Sequence, residues 1–375
     1  MSSSSSTEPA ALAPAPPGGS PLRRAWDGAA RLSPLQVGLL ATLALALLQA
    51  VVRNGGPAHG DDRIYELMAE DPFATHTFPF AYRIGVPTLV HVLPFSHDVS
   101  FTLIALASAG AAAGFLYALM TSLETPPRVA AAAALLFAIS PGVLVALLRN
   151  GRSVDPATLL AMSAAAYFVV RRRMVPLMIA LACGALVRES AMFMIPFAYA
   201  VWAERWIDWP ALRRVLLVSL PAIAIYVALR LSLPTVGSEL VLGYGDGPIE
   251  GRLTLLREGF ADPVTSLRRI ALAFGPLWLV APFALKRMRY AQRGLVLVGL
   301  CVVSMTFALD WGRVILLAAP AIYPAATWVL GRRPRLRAPI LLLWLVVCLG
   351  YAGYMDLHGV ASNIDGGVLP PYPVR

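Results

Sequence analysis

Residues 53–98 read RNGGPAHGDDRIYELMAEDPFATHTFPFAYRIGVPTLVHVLPFSHD, and they lie between LQVGLLATLALALLQAVV at 35–52 and VSFTLIALASAGAAAGFLYAL at 99–119. Each flanking run approaches the ~20 apolar residues that cross a hydrocarbon core of ~30 Å. The stretch between them is polar, acidic near its start and interrupted by prolines. Working outward, the apolar pattern recurs at 129–148, 157–170, 174–187, 191–202, 215–233, 270–285, 294–309, 314–330 and 338–355. These runs predict an all-α polytopic membrane protein of about eleven transmembrane helices. Composition agrees: AVILMFWYC make up 58% of the chain, charged residues 14%, and mean hydropathy is +0.68. Ordinary soluble domains are roughly 45–50% apolar and about 25% charged, so a water-facing surface is excluded for most of the chain.

Residues 1–33, rich in Ser, Pro, Ala and Gly, read as a disordered cytoplasmic tail. A transmembrane domain at 34–355 and an extracytoplasmic tail at 356–375 follow. The 35–52 run is long for a signal peptide and has no clear small-residue cleavage site after it, so it reads as a retained first span. Cys183, Cys301 and Cys348 fall in apolar runs without a CxxC pair, which suits packing rather than disulfides or zinc. The abundance of Ala, and of Arg over Lys, reads as coding bias.

The net charge of +10 is an orientation signal. With the N-terminus in the cytoplasm, the inner loops hold Arg23, Arg24, Arg31, Arg128, Arg171, Arg172, Arg173, Arg205, Arg213 and Arg214. Lys286, Arg287, Arg289, Arg293, Arg332, Arg333, Arg335 and Arg337 join them. That is more than half of the 31 basic residues, with only Glu8, Asp27, Glu124, Glu204 and Asp208 of the 21 acids. Positive residues concentrate on the cytoplasmic side, so nucleic acid is not needed to explain the charge. Reading 174–202 as one tilted span would put the later basic clusters outside. Two short helices therefore fit better, with Arg188 and Glu189 between them below the outer surface. Ionisable groups at that depth are costly and usually mark a substrate path.

Within 53–98, Ile64, Leu67 and Met68 share one helical face while Asp62, Glu66 and Glu70 point elsewhere, and Asp71-Pro72 ends the pattern. A second apolar piece, 84–93, is too short to span. Both read as interfacial helices in the first outer loop. The second long outer loop, 234–267, carries Tyr244-Gly-Asp246 and an amphipathic stretch at 253–260.

Asp61-Asp62-x-x-Tyr65 opening such a loop resembles the GT-C superfamily of membrane glycosyltransferases, which includes the lipid A aminoarabinose transferases and protein O-mannosyltransferases. Phe80-Ala-Tyr-Arg83-Ile-Gly-Val-Pro87 is similar to a YR-x-x-x-P stretch of bacterial members. Leu186-Val-Arg188-Glu189-Ser is similar to their basic-acidic step between hydrophobic runs, and Asp310-Trp-Gly-Arg313 with Pro320 to the start of a late helix. The resemblance implies a GT-C-like bundle and inverting transfer of a sugar from a polyprenyl-phosphate donor to a glycan, lipid or protein hydroxyl on the extracytoplasmic face. It makes Asp61 and Asp62 the catalytic pair and places Tyr65, Arg83, Asp155, Glu189 and Asp310 in supporting or acceptor positions. Ending after about eleven spans, with no soluble C-terminal domain expected, would be a departure from the oligosaccharyltransferase branch.

The chemistry asks for the same residue types. A base must take the acceptor's proton, and guanidinium groups suit the leaving phosphate, for which Arg188, Arg313 and Arg152 are the candidates. Each residue also has a structural reading. Asp61, Asp62 or Asp155 can cap a helix, Arg188 and Glu189 can pair with each other, and Arg313, Arg268 and Arg269 can anchor at the interface. His59 and His76 flank the acidic pair at irregular spacing, and no metal is assigned. A transporter or flippase of lipid-linked sugars, and a polysaccharide polymerase or ligase, remain the rival functions. In a cysteine-free background, single cysteines at 171–173 are expected to resist an impermeant thiol reagent applied from outside, while cysteines in the 53–98 loop react; labelling at 171–173 would overturn the orientation.

Overall fold

The first long helix starts where the sequence writes a capping box. Ser33 Oγ accepts from the Gln36 N–H at 3.2 Å, and Gln36 Oε1 accepts from the Ser33 N–H at 2.8 Å. Pro34 follows in the first turn, where a missing N–H costs nothing. The computed structural model describes residues 29–52, 61–149, 152–236, 257, 260, 263–306 and 311–358. Among them the regular structure is helical apart from one short parallel pairing, His76–Thr77 with Thr235–Val236.

The helices are α1 (Pro34–Val51), α2 (Asp61–Glu70), α3 (Gly85–Val92), α4 (His97–Ser122), α5 (Pro127–Ala138), α6 (Asp155–Val170) and α7 (Met174–Val187). After them come α8 (Met194–Trp202), α9 (Trp209–Ser232), α10 (Pro263–Phe274), α11 (Arg289–Met305), α12 (Trp311–Leu316), α13 (Ala319–Arg332) and α14 (Pro334–His358). The short α2 and α3 lie where two interfacial helices are expected. The last helix runs to His358, past the expected boundary at 355.

Among the described residues, five helical stretches are long and apolar enough to cross a membrane: Pro34–Val51, His97–Ser122, Pro127–Leu147 (α5 and the turns that continue it), Trp209–Ser232 and Pro334–Tyr354. A sixth counts if Pro263–Phe274 and Leu277–Ala284, bent by 78°, form one span. The other expected spans fall on shorter or broken helices. α6 and α7 have 16 and 14 residues, or ~24 and ~21 Å at ~1.5 Å per residue. The 191–202 stretch is a 3₁₀ turn, Glu189–Phe193, followed by α8, and the 314–330 stretch divides into α12 and α13. The expected unbroken helix at 270–285 is the bent pair. Its corner is Gly275, at φ +49°, where a Cβ would come within 2.1 Å of the Trp344 ring. Only glycine meets both demands.

Burial separates the long helices into a centre and a rim. About 72% and 78% of the apolar windows of His97–Ser122 and Pro127–Leu147 are buried inside the protein, against 22% for each of the other three. Helices at the rim leave apolar faces outward, such as Leu39, Leu43 and Leu47 of α1, as lipid contact requires. α1 packs on α4 through small residues. A Cβ on Gly110 would lie 2.8 Å from the Gly38 carbonyl oxygen and 1.9 Å from Thr42 Oγ1, and one on Gly114 would lie 2.7 Å from the Pro34 oxygen. Gly110 and Gly114 are the small-xxx-small spacing that lets helix backbones approach in lipid.

Residues 1–28 of the expected N-terminal tail, most of the second outer loop including 237–256, and 359–375 lie outside the described residues. Gly110→Val is expected to lower stability in detergent by roughly 1–3 kcal/mol, the range for overpacking a close contact. Gly350→Val, which meets open space, is the control. Equal melting temperatures for the two variants would refute the close-crossing account.

Candidate functional site

The segment between α1 and α4 folds around a tyrosine. Tyr65, one turn into α2, is 1% exposed and packs edge-on against Phe80 at 5.6 Å. The short turn Phe80–Tyr82 then delivers Arg83, whose guanidinium lies 5.0 Å from the centre of the Phe80 ring. Arg83 Nη1 donates to Tyr65 Oη at 3.1 Å and Nε to Glu189 Oε2 at 3.0 Å, while Nη2 donates to Glu189 Oε1. The fork is thus bidentate on one carboxylate, the strongest geometry an arginine has.

A second cluster lies beside it in sequence and uses other elements. α7 ends at Arg188, whose backbone is extended (φ −165°, ψ 139°). That break turns Arg188 and Glu189 to different partners. Arg188 Nη1 donates to Asp155 Oδ1, and Arg313 Nε, from α12, donates to Asp155 Oδ2 at 2.6 Å. Asp155 is 4% exposed and sits in the first turn of α6, where its own N–H donates to Ser153 Oγ at 3.0 Å. Its carboxylate therefore joins two arginines from distant parts of the chain, and the side-chain capping role is not the one it takes. Arg188 and Glu189 do not pair with each other; Asp155 and Arg83 take them separately.

Arg152 is held elsewhere. Its Nε and Nη2 donate to Asp98 Oδ1 at 2.9 and 2.5 Å, and Nη1 approaches Glu66 Oε2 at 3.5 Å. Asp62 is buried at 8% exposure, and Asp61 is the first residue of α2. Asp310 and His59 lie outside the described residues. His76 contacts the Asp71 carbonyl oxygen at 2.7 Å. Among the described residues, no three His, Cys, Asp or Glu side chains gather where a metal ion would bind.

One arginine that sequence reading passed over belongs to the same wall. Arg230, near the end of α9, lies over the rings of Tyr82 at 4.7 Å, Tyr226 at 4.8 Å and Phe78 at 5.9 Å. Tyr226, one turn before it, was the available signal. With the His76–Thr77 pairing, this cation–π box fastens the loop carrying Arg83 to the chain leaving α9.

Below the charged clusters runs an apolar cavity of about 440 Å³. Its upper lining includes Val86 of α3, Ala157 two residues after Asp155, and Val187 next to Arg188. Its lower lining includes Phe115, Phe168 and Pro176. From Ala157 to Phe168, α6 descends ~16 Å at ~1.5 Å per residue. Cys183, expected to be a packing residue, is exposed and lines this cavity. Arg269, expected to be an interfacial anchor, lines a much smaller cavity together with Arg313.

No protein-family model matches the chain, and no curated protein is similar to it at a significant level. The cluster of Asp155, Arg188 and Arg313 does not itself line the apolar cavity; the two adjoin in sequence, at Ala157 and Val187. Removing one partner of a buried ion pair costs roughly 3–5 kcal/mol. The Glu189 side chain is 36% exposed, so Arg83→Ala is expected at or below the low end of that range. A thermal-unfolding double-mutant cycle of Arg83→Ala with Glu189→Ala should show the double variant losing less than the sum of the single losses; strict additivity would mean the pair is not coupled.

Proposed function

We propose that the chain is a GT-C-type inverting glycosyltransferase of about eleven membrane passages. It moves a sugar from a polyprenyl-phosphate donor to a hydroxyl acceptor (glycan, lipid or protein) on the extracytoplasmic side of a cell membrane. What supports this reading is that Arg188 and Arg313 meet on one buried carboxylate, and that their cluster adjoins in sequence an apolar cavity lined by Ala157 and Val187. A polyprenyl tail needs a long hydrocarbon-lined channel, and its phosphate needs cations at the channel's end.

In this reading the donor tail lies along α6 and α7, and Arg188 and Arg313 hold the phosphate. Asp61 or Asp62 takes the proton of the acceptor hydroxyl. The hydroxyl oxygen then bonds to the anomeric carbon from the face opposite the phosphate, and the carbon–oxygen bond to phosphate breaks with its electron pair on the phosphate oxygen. Arginine charge stabilises that oxygen as the bond breaks. Tyr65 and Arg83 fix the loop bearing the acids, and Glu189 holds Arg83 in turn. Arg152, tied to Asp98 and Glu66, is assigned to bracing the loop rather than to the phosphate. No metal is assigned.

The helix break at Arg188–Glu189 supports a second reading, a flippase of the same lipid-linked sugars, because transporters commonly build binding sites from broken helices. The two separate on one assay. Purified protein in nanodiscs, given radiolabelled polyprenyl-phosphate sugars and a hydroxyl acceptor, is expected to release polyprenyl phosphate; movement of intact donor across a proteoliposome without release would favour the flippase. Arg188→Ala and Arg313→Ala are each expected to reduce donor use roughly 10- to 100-fold, as follows from ~1.5–3 kcal/mol per charged hydrogen bond. Asp61→Asn keeps shape and removes basicity, so transfer should be lost with the melting temperature unchanged. Retained transfer in that variant moves the base to Asp62.

A further inference from the structure

We propose that Asp155 is a built-in competitor for the phosphate site: its carboxylate occupies the arginines that hold the donor, is displaced when a lipid phosphate binds, and returns to them as the product leaves. The inference rests on the reading of Arg188 and Arg313 as phosphate-binding residues, and it adds a specificity and turnover role that this reading does not contain.

The geometry is that of one anion bridging two cations. Asp155 Oδ1 accepts from Arg188 and Oδ2 from Arg313, and the three residues come from the start of α6, the end of α7 and α12. Two oxygens and one negative charge are also what the phosphodiester of a lipid-linked sugar offers. Asp155 and the donor phosphate therefore present the same recognition face, and only one can hold both guanidinium groups at a time. The carboxylate does not saturate the site either. Arg188 Nε is buried and has no hydrogen-bond partner among the described residues. The side chains of Arg188 and Arg313 keep 14% and 15% of their surface exposed, against 6% for Asp155. The monoester left after transfer has a third non-bridging oxygen for Nε, which Asp155 lacks.

Sign and charge give this competition a use. The donor diester carries one negative charge, whereas the polyprenyl phosphate left after transfer is a monoester carrying nearly two near neutrality. Two desolvated arginines would bind the product more tightly than the donor and stall turnover. An internal carboxylate sits at a high effective concentration and lowers the affinity of every anion at this site. The factor is the same for each ligand, and it matters most for the dianionic product, whose tight binding would otherwise limit turnover.

The test compares full-length wild type with Asp155→Asn in nanodiscs, using farnesyl phosphate as the product-like probe and isothermal titration calorimetry as the readout. Asp155→Asn is expected to bind the probe about tenfold more tightly or better, a change of ~1.4 kcal/mol. With labelled donor it should give one rapid turnover followed by a slow steady state. A purely structural role would weaken binding and remove the burst, so equal or weaker binding by the variant overturns the proposal. If neither protein binds farnesyl phosphate, the phosphate-site reading itself fails and the competitor falls with it. Should the variant not fold, the wild type supplies a second measurement. Labelling of Asp155 by dicyclohexylcarbodiimide, located by peptide mass spectrometry, is expected to rise as farnesyl phosphate saturates the protein; unchanged or reduced labelling overturns the displacement.

Discussion

Asp155 is held by two arginines, and much of the architecture around it can be understood as the means of bringing them there. A lone carboxylate or guanidinium away from water is expensive, and losing one member of such a set leaves the others uncompensated. The three side chains come from the start of α6, the end of α7 and the short α12. Each of those elements must stop or begin at one depth for the charges to meet. The interruption after Val187 and the break between α12 and α13 are then boundary conditions of the ion cluster. A continuous helix through either place would carry Arg188 or Arg313 past Asp155.

The neighbouring cluster obeys the same constraint with different parts. Glu189 cannot share Asp155's partners, and it takes the whole fork of Arg83. Arg83 in turn depends on Tyr65 and Phe80 for its position, and the loop around it is fastened to α9 by the Arg230 box. Two adjacent residues, Arg188 and Glu189, thus tie α6 and α12 to the segment carrying Arg83, which is fixed by charge as well as by apolar contact.

Sequence reading recovered what depends on local pattern. The long apolar runs, the two short helices α2 and α3, and the break at Arg188–Glu189 follow from hydrophobic length, proline placement and charge position, although α2 buries Asp62 and leaves Leu67 exposed, against the expected faces. What it could not supply was pairing. Nothing in the spacing of Arg83 and Glu189, or of Asp155 and Arg313, says that they meet, because each pair is separated by more than 100 residues. Adjacent Arg188 and Glu189 suggested a mutual pair, whereas an extended backbone at Arg188 sends them apart. Asp155 before Pro156 reads as much like a cap as a functional acid, and only the two guanidinium groups show that its carboxylate pairs with arginine and does not cap the helix. The run at 270–285 was misread as one helix because hydropathy does not register the positive φ that Gly275 adopts against Trp344.

Alanine content, set aside at first as coding bias, has a physical consequence at the groove. Ala157, Ala161 and Ala164 lie along one face of α6, and Ala180 faces the same cavity from α7. At Gly184 an added Cβ would come within 2.7 Å of Ala191 and 3.3 Å of Ala161, so the same small residues bring the helices together at that level. Where they touch, small side chains let backbones approach closely. Where they turn toward the cavity, the same side chains leave the space that leucine would fill. Leu160 and Phe168, larger and on the same wall, give that space an apolar lining for dispersion contact along a chain. Such a lining offers apolar contact and almost no polar groups; the charged groups nearest to it in sequence are Asp155 and Arg188, two and one residues from Ala157 and Val187.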